Sequence, residues 1–158
     1  MSDQNGNMKT IELHENGLDI QFRIRENGVV ELADFSSQEV KKAVMEPKED
    51  ICYPAVEIHR SGTGSLNMHA YKNNINQSSV DFVYENHELK AQAGGKELEI
   101  VMISPEKLKA VYHMRLFDGV PAVQTWTEIT NEGSEDQGLT CFFFYVSGNL
   151  QRRREALL

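Results

Sequence analysis

Residues 117–133 read FDGVPAVQTWTEITNEG. Turn signals bracket this stretch, with Asp118-Gly119 near its start and Asn131-Glu132-Gly133 at its end. Between them lies a run rich in Val, Thr and Ile that holds the chain's only tryptophan, Trp126. Glycine next to Asp, Asn or Glu marks tight turns, while β-branched and aromatic residues favour strands. The stretch therefore predicts a long strand that is entered and left through turns.

The same pattern recurs towards the N-terminus. Residues 18–25 (LDIQFRIR) alternate four apolar with four polar side chains. A period of two places one face of a strand on the core and the other in water. Asn27-Gly28 follows, and Val30 and Leu32 resume the alternation. We predict a hairpin with a type I′ turn at Asn27-Gly28, because both central positions of that turn need positive φ.

Further short strands follow at near-regular spacing, with Gly94-Gly95 and Asp118-Gly119 between some of them. Residues 36–50 predict a loop, with or without a short helix that Pro47 would end, and the polar residues 61–77 predict a long loop or a ragged hairpin. The last strand is apolar on both faces, so it is predicted to be central or covered. The fold class is therefore all-β, an antiparallel β-sandwich with few short helices. The remaining predicted strands cover residues 51–59, 80–88, 97–102, 108–116, 122–130 and 139–146.

The composition is that of an acidic globular domain. The 158 residues carry a formal net charge of −8, with a pI of about 5.1. Nucleic acid and anionic membranes are poor partners for such a surface, because binding phosphates needs clustered Lys and Arg. The one basic cluster, residues 152–154, is predicted to be a solvated chain end. No partner of either class is expected.

The location is predicted from the N-terminus and the cysteines. Residues 1–7 lack the charged-then-apolar pattern of a signal peptide, and no apolar run approaches ~18 residues. Cys52 and Cys141 lie far apart and lack the spacing of metal ligands. They are predicted to be reduced, packed thiols in a cytoplasmic protein, with one long-range disulfide as the alternative.

Catalytic and metal-binding motifs are missing from the sequence: it holds no GxSxG, HExxH, Walker loop or CxxC. No two histidines form a close pair on one predicted strand face, which favours surface or rim histidines over zinc ligands. Glu97 and Glu99 share a strand face, and a solvated face explains them better than a glycosidase pair. No metal and no cofactor is predicted. The five histidines are His14, His59, His69, His87 and His113.

Sugar contact has two candidate places in the sequence. His69, Tyr71 and Lys72 combine an aromatic ring with hydrogen-bond donors on the long polar loop, although a plain solvated loop explains them too. Trp126 shares a strand face with Gln124 and Glu128, which suits either a sugar-stacking platform or a partly buried core or interface tryptophan. We predict His69, Tyr71, Lys72 and Trp126 as substrate-rim residues.

Several segments together resemble glycoside hydrolase family 36, whose members begin with a large β-supersandwich of the galactose-mutarotase type. The family shows a P-x-V-E-(I/V) strand, then L-x-Y-x-x-H-E, and later a Y-D-G turn followed by W-T-E-(V/I)-x-N. This sequence has PAVEI at residues 54–58, FVYENHE at 82–88, FDG at 117–119 and WTEITN at 126–131. The resemblance runs from about residue 11 to residue 139.

The resemblance implies an N-terminal, non-catalytic domain of an α-galactosidase that acts on α-galactosides. Its catalytic aspartates would lie on a barrel outside these residues, so no catalytic residue is carried over. After residue 139 the family pattern ends, and residues 148–158 match nothing in it, which is expected of a truncated, frameshifted or deliberately shortened reading frame. The predicted organisation is a disordered N-terminus (1–10), a sandwich (11–147) and a non-family tail (148–158).

Two function classes remain open. In the first, the domain shapes the active-site rim and the oligomer contact of a parent glycosidase. In the second, it is a stand-alone carbohydrate-binding or adhesive module. A partial sandwich leaves apolar faces uncovered, so we also expect the chain to form homo-oligomers or to self-associate, with residues 140–146 as the contact.

Overall fold

The computed structural model describes residues 9–37, 54–62 and 77–143. These residues form nine strands and one four-residue helix, and every paired strand is antiparallel to its neighbour. The predicted all-β, antiparallel fold with little helix is confirmed. In chain order the elements are β1 Lys9–Glu15, β2 Leu18–Ile24, β3 Val30–Ser37, β4 Glu57–Arg60, α1 Gln77–Val80, β5 Val83–Gln92, β6 Gly95–Ile103, β7 Leu108–Phe117, β8 Val120–Asn131 and β9 Leu139–Phe143.

The strands are arranged in three hydrogen-bonded groups. One sheet has the order β1-β2-β3 and a second has the order β5-β6-β7-β8, while β4 pairs with β9. Consecutive strands are neighbours within both larger sheets, as expected when short turns join antiparallel strands. The β4–β9 pair is instead non-local, since it joins Ile58 to Phe142.

The core lies between the inner faces of the two larger sheets. Strand β2 alternates buried and half-buried residues, as its period of two predicts. On β7, Leu108, Ala110, Tyr112, Met114 and Leu116 are all buried. The ring of Phe22 on β2 meets that of Tyr112 edge-on, with centroids 5.6 Å apart and an interplanar angle of 66°. Each fully buried side chain of this size stabilises the fold by about 1.5–3 kcal/mol.

The first two hairpins use different turns, which corrects one prediction. The β1–β2 connection is the two-residue turn Asn16-Gly17, where φ is +52° and +81°, as a type I′ turn requires. At Asn27-Gly28 only Gly28 has positive φ, at +85°. The Gly28 N–H donates to Arg25 O, and Arg25 N–H donates to Val29 O. This is a type I turn closed by a left-handed glycine, and not the predicted type I′ turn.

Two turns of the three-stranded sheet bind the other sheet. Asn16 donates its side-chain amide to Phe117 O at 2.9 Å, and its Oδ1 accepts the Gly119 N–H at 3.0 Å. At the opposite hairpin the Tyr84 N–H donates to Gly28 O at 2.8 Å. A Cβ built on Gly28 would lie 3.0 Å from Val83 Cβ, so the backbones meet closely here. The sheets are thus joined by hydrogen bonds as well as by the core.

Helix α1 shifts the next strand from its predicted place. Val80 ends this helix, so β5 begins at Val83 and not at residue 80. The Ser79 hydroxyl, which is buried, accepts the Ile58 N–H at 3.0 Å, and Ser78 Oγ accepts the Arg60 N–H at 3.3 Å. Buried backbone N–H groups need hydrogen-bond acceptors, and the two serine hydroxyls supply them for two N–H groups along one edge of β4.

Some predicted elements lie wholly or partly outside the described residues. Strand β4 covers Glu57–Arg60, whereas residues 51–53 of the predicted strand, with Cys52, lie outside the description. The predicted loop helix before Pro47 also lies outside it. Within residues 9–37, 54–62 and 77–143, no helix has the length and apolar character needed to cross a bilayer.

Candidate functional site

The most unusual polar group of the described residues lies on the outer face of the four-stranded sheet. Leu98 and Ile100 of β6 point to the core, so Glu97 and Glu99 point the other way. The strand register places Glu99 opposite His113 on β7, and His113 opposite Trp126 on β8. A row of chemically active side chains therefore crosses three adjacent strands.

His113 stands at the centre of this row. Its Nδ1 lies 3.0 Å from Glu97 Oε1 and 3.9 Å from Glu99 Oε1. Its Nε2 lies 3.8 Å from Glu128 Oε1, beyond hydrogen-bond distance. The ring stacks on Trp126 with centroids 4.7 Å apart and planes 3° from parallel. We call Glu97, Glu99, His113, Trp126 and Glu128 the His113 cluster.

Both central members of the cluster are well buried. His113 is 7% exposed and Glu97 is 6% exposed, although both belong to the sheet face opposite the core. A buried carboxylate is costly unless it is paired. Here the partners are the imidazole on one oxygen and the Gln92 amide, which donates to Glu97 Oε2 at 2.8 Å.

Lys90 is a positively charged neighbour of the His113 cluster. Its ammonium donates to Glu99 Oε2 at 2.5 Å, and this hydrogen bond raises the pKa of Lys90. The Oε2 atoms of Glu97 and Glu99 thus each accept a hydrogen bond from a side chain of β5, while their Oε1 atoms face His113. Among the described residues, the carboxylates of Glu97, Glu99 and Glu128 lie 3.0–3.9 Å from the imidazole nitrogens, and Lys90 pairs with one of the three.

The burial of this cluster corrects two predictions. The sequence predicted a solvated face for Glu97 and Glu99 and a surface or rim position for His113, whereas Glu97 and His113 are buried. The indole of Trp126 stacks on the His113 ring from the neighbouring strand, while Glu97 lies against the side chains of Gln92 and His113. The sequence does hold a signal for this pairing. Residues equally far from the centre of a turn face each other in a hairpin, and Glu99 and His113 each lie seven residues from Glu106.

Trp126 is the only predicted rim residue that the structure describes. Its side chain is half-buried, and one ring face lies against His113. Both interpretations therefore stay open, the packed interface tryptophan and the sugar-stacking platform. His69, Tyr71 and Lys72 lie outside the described residues, and their part in sugar binding stays a prediction.

A second polar group surrounds Arg60, a buried residue of β4. Its guanidinium bonds Asp81 at 2.9 Å and Glu106 at 2.6 Å. Burial acts to raise the pKa of Glu106, but its own backbone N–H, the Ser104 hydroxyl and Arg60 together lower it. This group ties β4 to the β6–β7 turn.

An open cleft of about 380 Å³ lies beside Glu106 and is lined by residues 105–107, 132–135 and 137. Among the residues that the structure describes, this lining includes Glu106, Glu132 and Glu135 but no aromatic side chain. Ligand pockets usually combine apolar or aromatic walls with a few polar groups. The cleft is therefore a weaker candidate site than the His113 cluster.

Comparisons with known proteins give a similarity of fold. No protein-family model matches the chain, and no curated protein matches it either. Among solved structures, the chain is similar to a double variant of the glycoside hydrolase family 36 α-galactosidase AgaA from Geobacillus stearothermophilus, solved in complex with raffinose. The TM-score is 0.50 at 12% sequence identity, over 79% of this chain.

The same comparison shows a large difference in length. The matched region spans only 22% of the Geobacillus enzyme. At 12% identity the similarity concerns the fold alone, and it assigns no residue a role. It agrees with the all-β fold that the strand pattern predicted.

Proposed function

We propose that this chain is a non-catalytic β-sandwich domain of an α-galactosidase-like glycoside hydrolase. Within that enzyme it would shape the rim of the active site and contribute to an oligomer interface. The observation that supports this most is the fold similarity to the Geobacillus α-galactosidase, over 79% of the chain. The ordered motifs at residues 54–58, 82–88 and 126–131 point to the same family.

The described motif residues have the contacts of a scaffold. Ile58 of the PAVEI segment is fully buried, and Glu57 bonds His59 at 3.0 Å. Trp126 of the WTEITN segment stacks on His113. Side chains in these positions fix strand packing and leave little freedom for chemistry on a bound substrate.

The buried carboxylates of the described residues are also engaged elsewhere. Glu31 is held by Arg23 at 2.8 Å and by Arg25 at 2.9 Å. Glu57 and Glu97 each bond an imidazole. A retaining glycosidase needs two carboxyl groups that flank one glycosidic bond about 5–5.5 Å apart. We therefore place that pair on another part of the parent enzyme, which would act on α-galactosides in the cytoplasm.

The experiment that tests this proposal identifies the polypeptide that carries these residues in the source cells. An antibody against the purified chain should detect a protein larger than 18.0 kDa, and the immunoprecipitate should hydrolyse an aryl α-galactoside. The purified 158-residue chain should show no turnover above buffer. An 18.0 kDa band without associated activity would overturn the proposal.

The loop prediction has its own test in the same parent enzyme. His69→Ala and Lys72→Ala should raise KM several-fold, equivalent to about 1–2 kcal/mol of lost binding. Tyr71→Phe keeps the aromatic ring and should change KM less. Unchanged kinetics in folded variants would make residues 69–72 an ordinary solvated loop.

One observation favours the alternative, a stand-alone carbohydrate-binding module. Trp126 is half-buried on an outer sheet face, where Gln124 and Glu128 flank it along the strand. An aromatic face beside hydrogen-bonding groups suits a sugar ring. If this alternative holds, raffinose should shift the Trp126 fluorescence of the isolated chain, and Trp126→Ala should abolish binding. A Trp126 that serves only as a packed core or interface residue would give no such shift.

A further inference from the structure

The imidazole of His113 has an unsatisfied nitrogen in a buried position. Its Nε2 is shielded from solvent and has no hydrogen-bond partner, and the residue is 7% exposed. A buried polar atom without a partner costs about 1–3 kcal/mol, so such atoms often mark a missing ligand or ion. The other nitrogen, Nδ1, faces two carboxylate oxygens.

The two carboxylates are held so that one oxygen of each stays available. Gln92 bonds Oε2 of Glu97, and Lys90 bonds Oε2 of Glu99. The Oε1 atoms lie 3.0 Å and 3.9 Å from His113 Nδ1. One atom each from Glu97, Glu99 and His113 lies within 4.8 Å of the other two.

We propose that Glu97, Glu99 and His113 bind one divalent transition-metal ion of the zinc class, through one oxygen of each carboxylate and Nδ1 of the imidazole. Ligand atoms around a tetrahedral zinc ion at its usual bond lengths lie about 3.3 Å apart. The two spacings from Nδ1, 3.0 Å and 3.9 Å, differ from this value by about 0.6 Å or less, and the spacing between the two carboxylate oxygens is at most 4.8 Å. Modest side-chain shifts would therefore close the site, and water would complete the coordination.

Metal binding would also resolve the unsatisfied nitrogen. An Nδ1 atom that coordinates a metal cannot carry a proton, so the proton of a neutral imidazole must sit on Nε2. Glu128 Oε1 lies 3.8 Å from Nε2 and can accept a hydrogen bond from it after a small side-chain movement. A carboxylate behind a metal-bound histidine is a common way to orient the ring.

Charge and ligand type point to a transition metal. Among the described residues, the three carboxylates beside the imidazole have one lysine partner, which also pairs with Glu88. They therefore leave an excess of at least two negative charges, which a divalent ion would neutralise. A mixed set of one imidazole and carboxylates suits zinc, nickel or manganese, whereas calcium and magnesium sites use oxygen ligands. The ion would bridge β6 and β7.

The only tryptophan of the chain offers a local readout, because it stacks on the proposed ligand. The purified chain, first treated with a chelator, is titrated with Zn²⁺ and separately with Ni²⁺ while Trp126 fluorescence is followed. We expect a saturable change with one ion per chain, and stronger quenching by paramagnetic Ni²⁺. The thermal midpoint should rise with Zn²⁺, since the ion binds the folded chain.

Variants separate this site from adventitious binding to other residues. His113→Gln and Glu99→Gln should each weaken binding at least 10-fold, and Glu128→Gln should weaken it about 10-fold through the orientation of the ring. Two controls should leave affinity unchanged. Glu88→Gln removes an exposed carboxylate beside Lys90, and His14→Gln removes an exposed histidine with carboxylate neighbours.

A lack of any fluorescence change up to about 1 mM Zn²⁺, against the micromolar or tighter affinity usual for such sites, would overturn the proposal. So would an unchanged affinity in His113→Gln. Glu99 is partly exposed, so Glu99→Gln serves as the second variant if His113→Gln fails to fold by circular dichroism. None of these measurements depends on glycosidase activity, so they are independent of the proposed function.

Discussion

The two faces of the four-stranded sheet bury side chains to similar depth but with opposite chemistry. On the inner face Leu98, Ile100 and Met114 are fully buried. On the outer face Glu97 and His113 are nearly as well buried. Apolar burial stabilises in proportion to the area removed from water, whereas polar burial is tolerable only when each group has a partner. The same strands thus have an inner face whose burial stabilises the fold by itself. Burial on their outer face is tolerable only while its polar groups keep their partners.

The largest expected effect is on the inner face. Met114→Ala should lower the free energy of unfolding by about 2–5 kcal/mol, because it leaves a cavity in the core. The matched control on the same strand is Val111→Ala, which trims a half-buried side chain of the outer face and should cost less than about 1 kcal/mol. Urea denaturation measures both. Equal losses would show that the outer face packs as tightly as the core.

The next effect depends on pH. Burial raises the pKa of Tyr112 to about 12, although a hydrogen bond with Thr125 acts the other way. An unfolded tyrosine loses its proton near pH 10, so between about 10 and 12 the folded chain binds more protons than the unfolded chain. The free energy of unfolding should therefore fall as pH rises through this range, by about 2–3 kcal/mol.

Denaturant titrations from about pH 9 to 12 measure this decline, and Tyr112→Phe provides the comparison. The variant has no phenol to ionise, so its stability should fall less steeply over the same range. Parallel curves for the two proteins would mean that Tyr112 ionises as easily in the folded chain as in the unfolded one.

A smaller effect is expected from the polar pair of the outer face. A double-mutant cycle with Glu97→Gln and His113→Gln, measured with a chelator present, should give a coupling of about 1–2 kcal/mol. The control cycle uses Lys109 and Glu132, an exposed pair 3.5 Å apart, where coupling should stay below about 0.5 kcal/mol. Similar couplings for the two pairs would remove the energetic distinction between buried and exposed polar contacts.

The smallest effect on stability is expected for Trp126, whose indole stacks on His113. Trp126→Leu, which keeps an apolar side chain beside His113, should cost about 1 kcal/mol, since it removes an aromatic stack that contributes about 0.5–1.5 kcal/mol beyond the buried area. Val120→Ala on the same strand should cost almost nothing, because Val120 is exposed. Hydrogen exchange of the His113 amide offers a second measurement. A Trp126→Leu variant that is as stable as the parent chain would show that the aromatic stack on His113 does not stabilise the fold.

Sequence patterns predicted the inner face well because apolar alternation is a local signal. Strands β2, β6 and β7 each show a period of two that the burial confirms. The outer cluster was missed because its members come from three strands, and because a charged residue on an outward face is normally solvated. Only the pairing register brings Glu99, His113 and Trp126 into one row.

Turn chemistry was predicted less reliably than strand pattern. The same dipeptide, Asn-Gly, forms a type I′ turn at residues 16–17 and a different turn at 27–28. Loop length decides between them, since β1 and β2 are separated by two residues, whereas β2 and β3 are separated by residues 25–29. The length of a loop depends on where the strands end, and strand ends are set by long-range pairing.

Asn16 has a consequence for the kinetics of folding. Its side chain bonds Phe117 O and the Gly119 N–H, contacts that span 101 and 103 residues of the chain. The β1–β2 and β7–β8 hairpins are local and can form before those turns meet, because closing a long loop costs more entropy than closing a short one. We therefore expect the Asn16 contacts to be absent from the folding transition state. Asn16→Gly, which keeps the positive φ of the turn and removes the side chain, should then accelerate unfolding while folding keeps its rate.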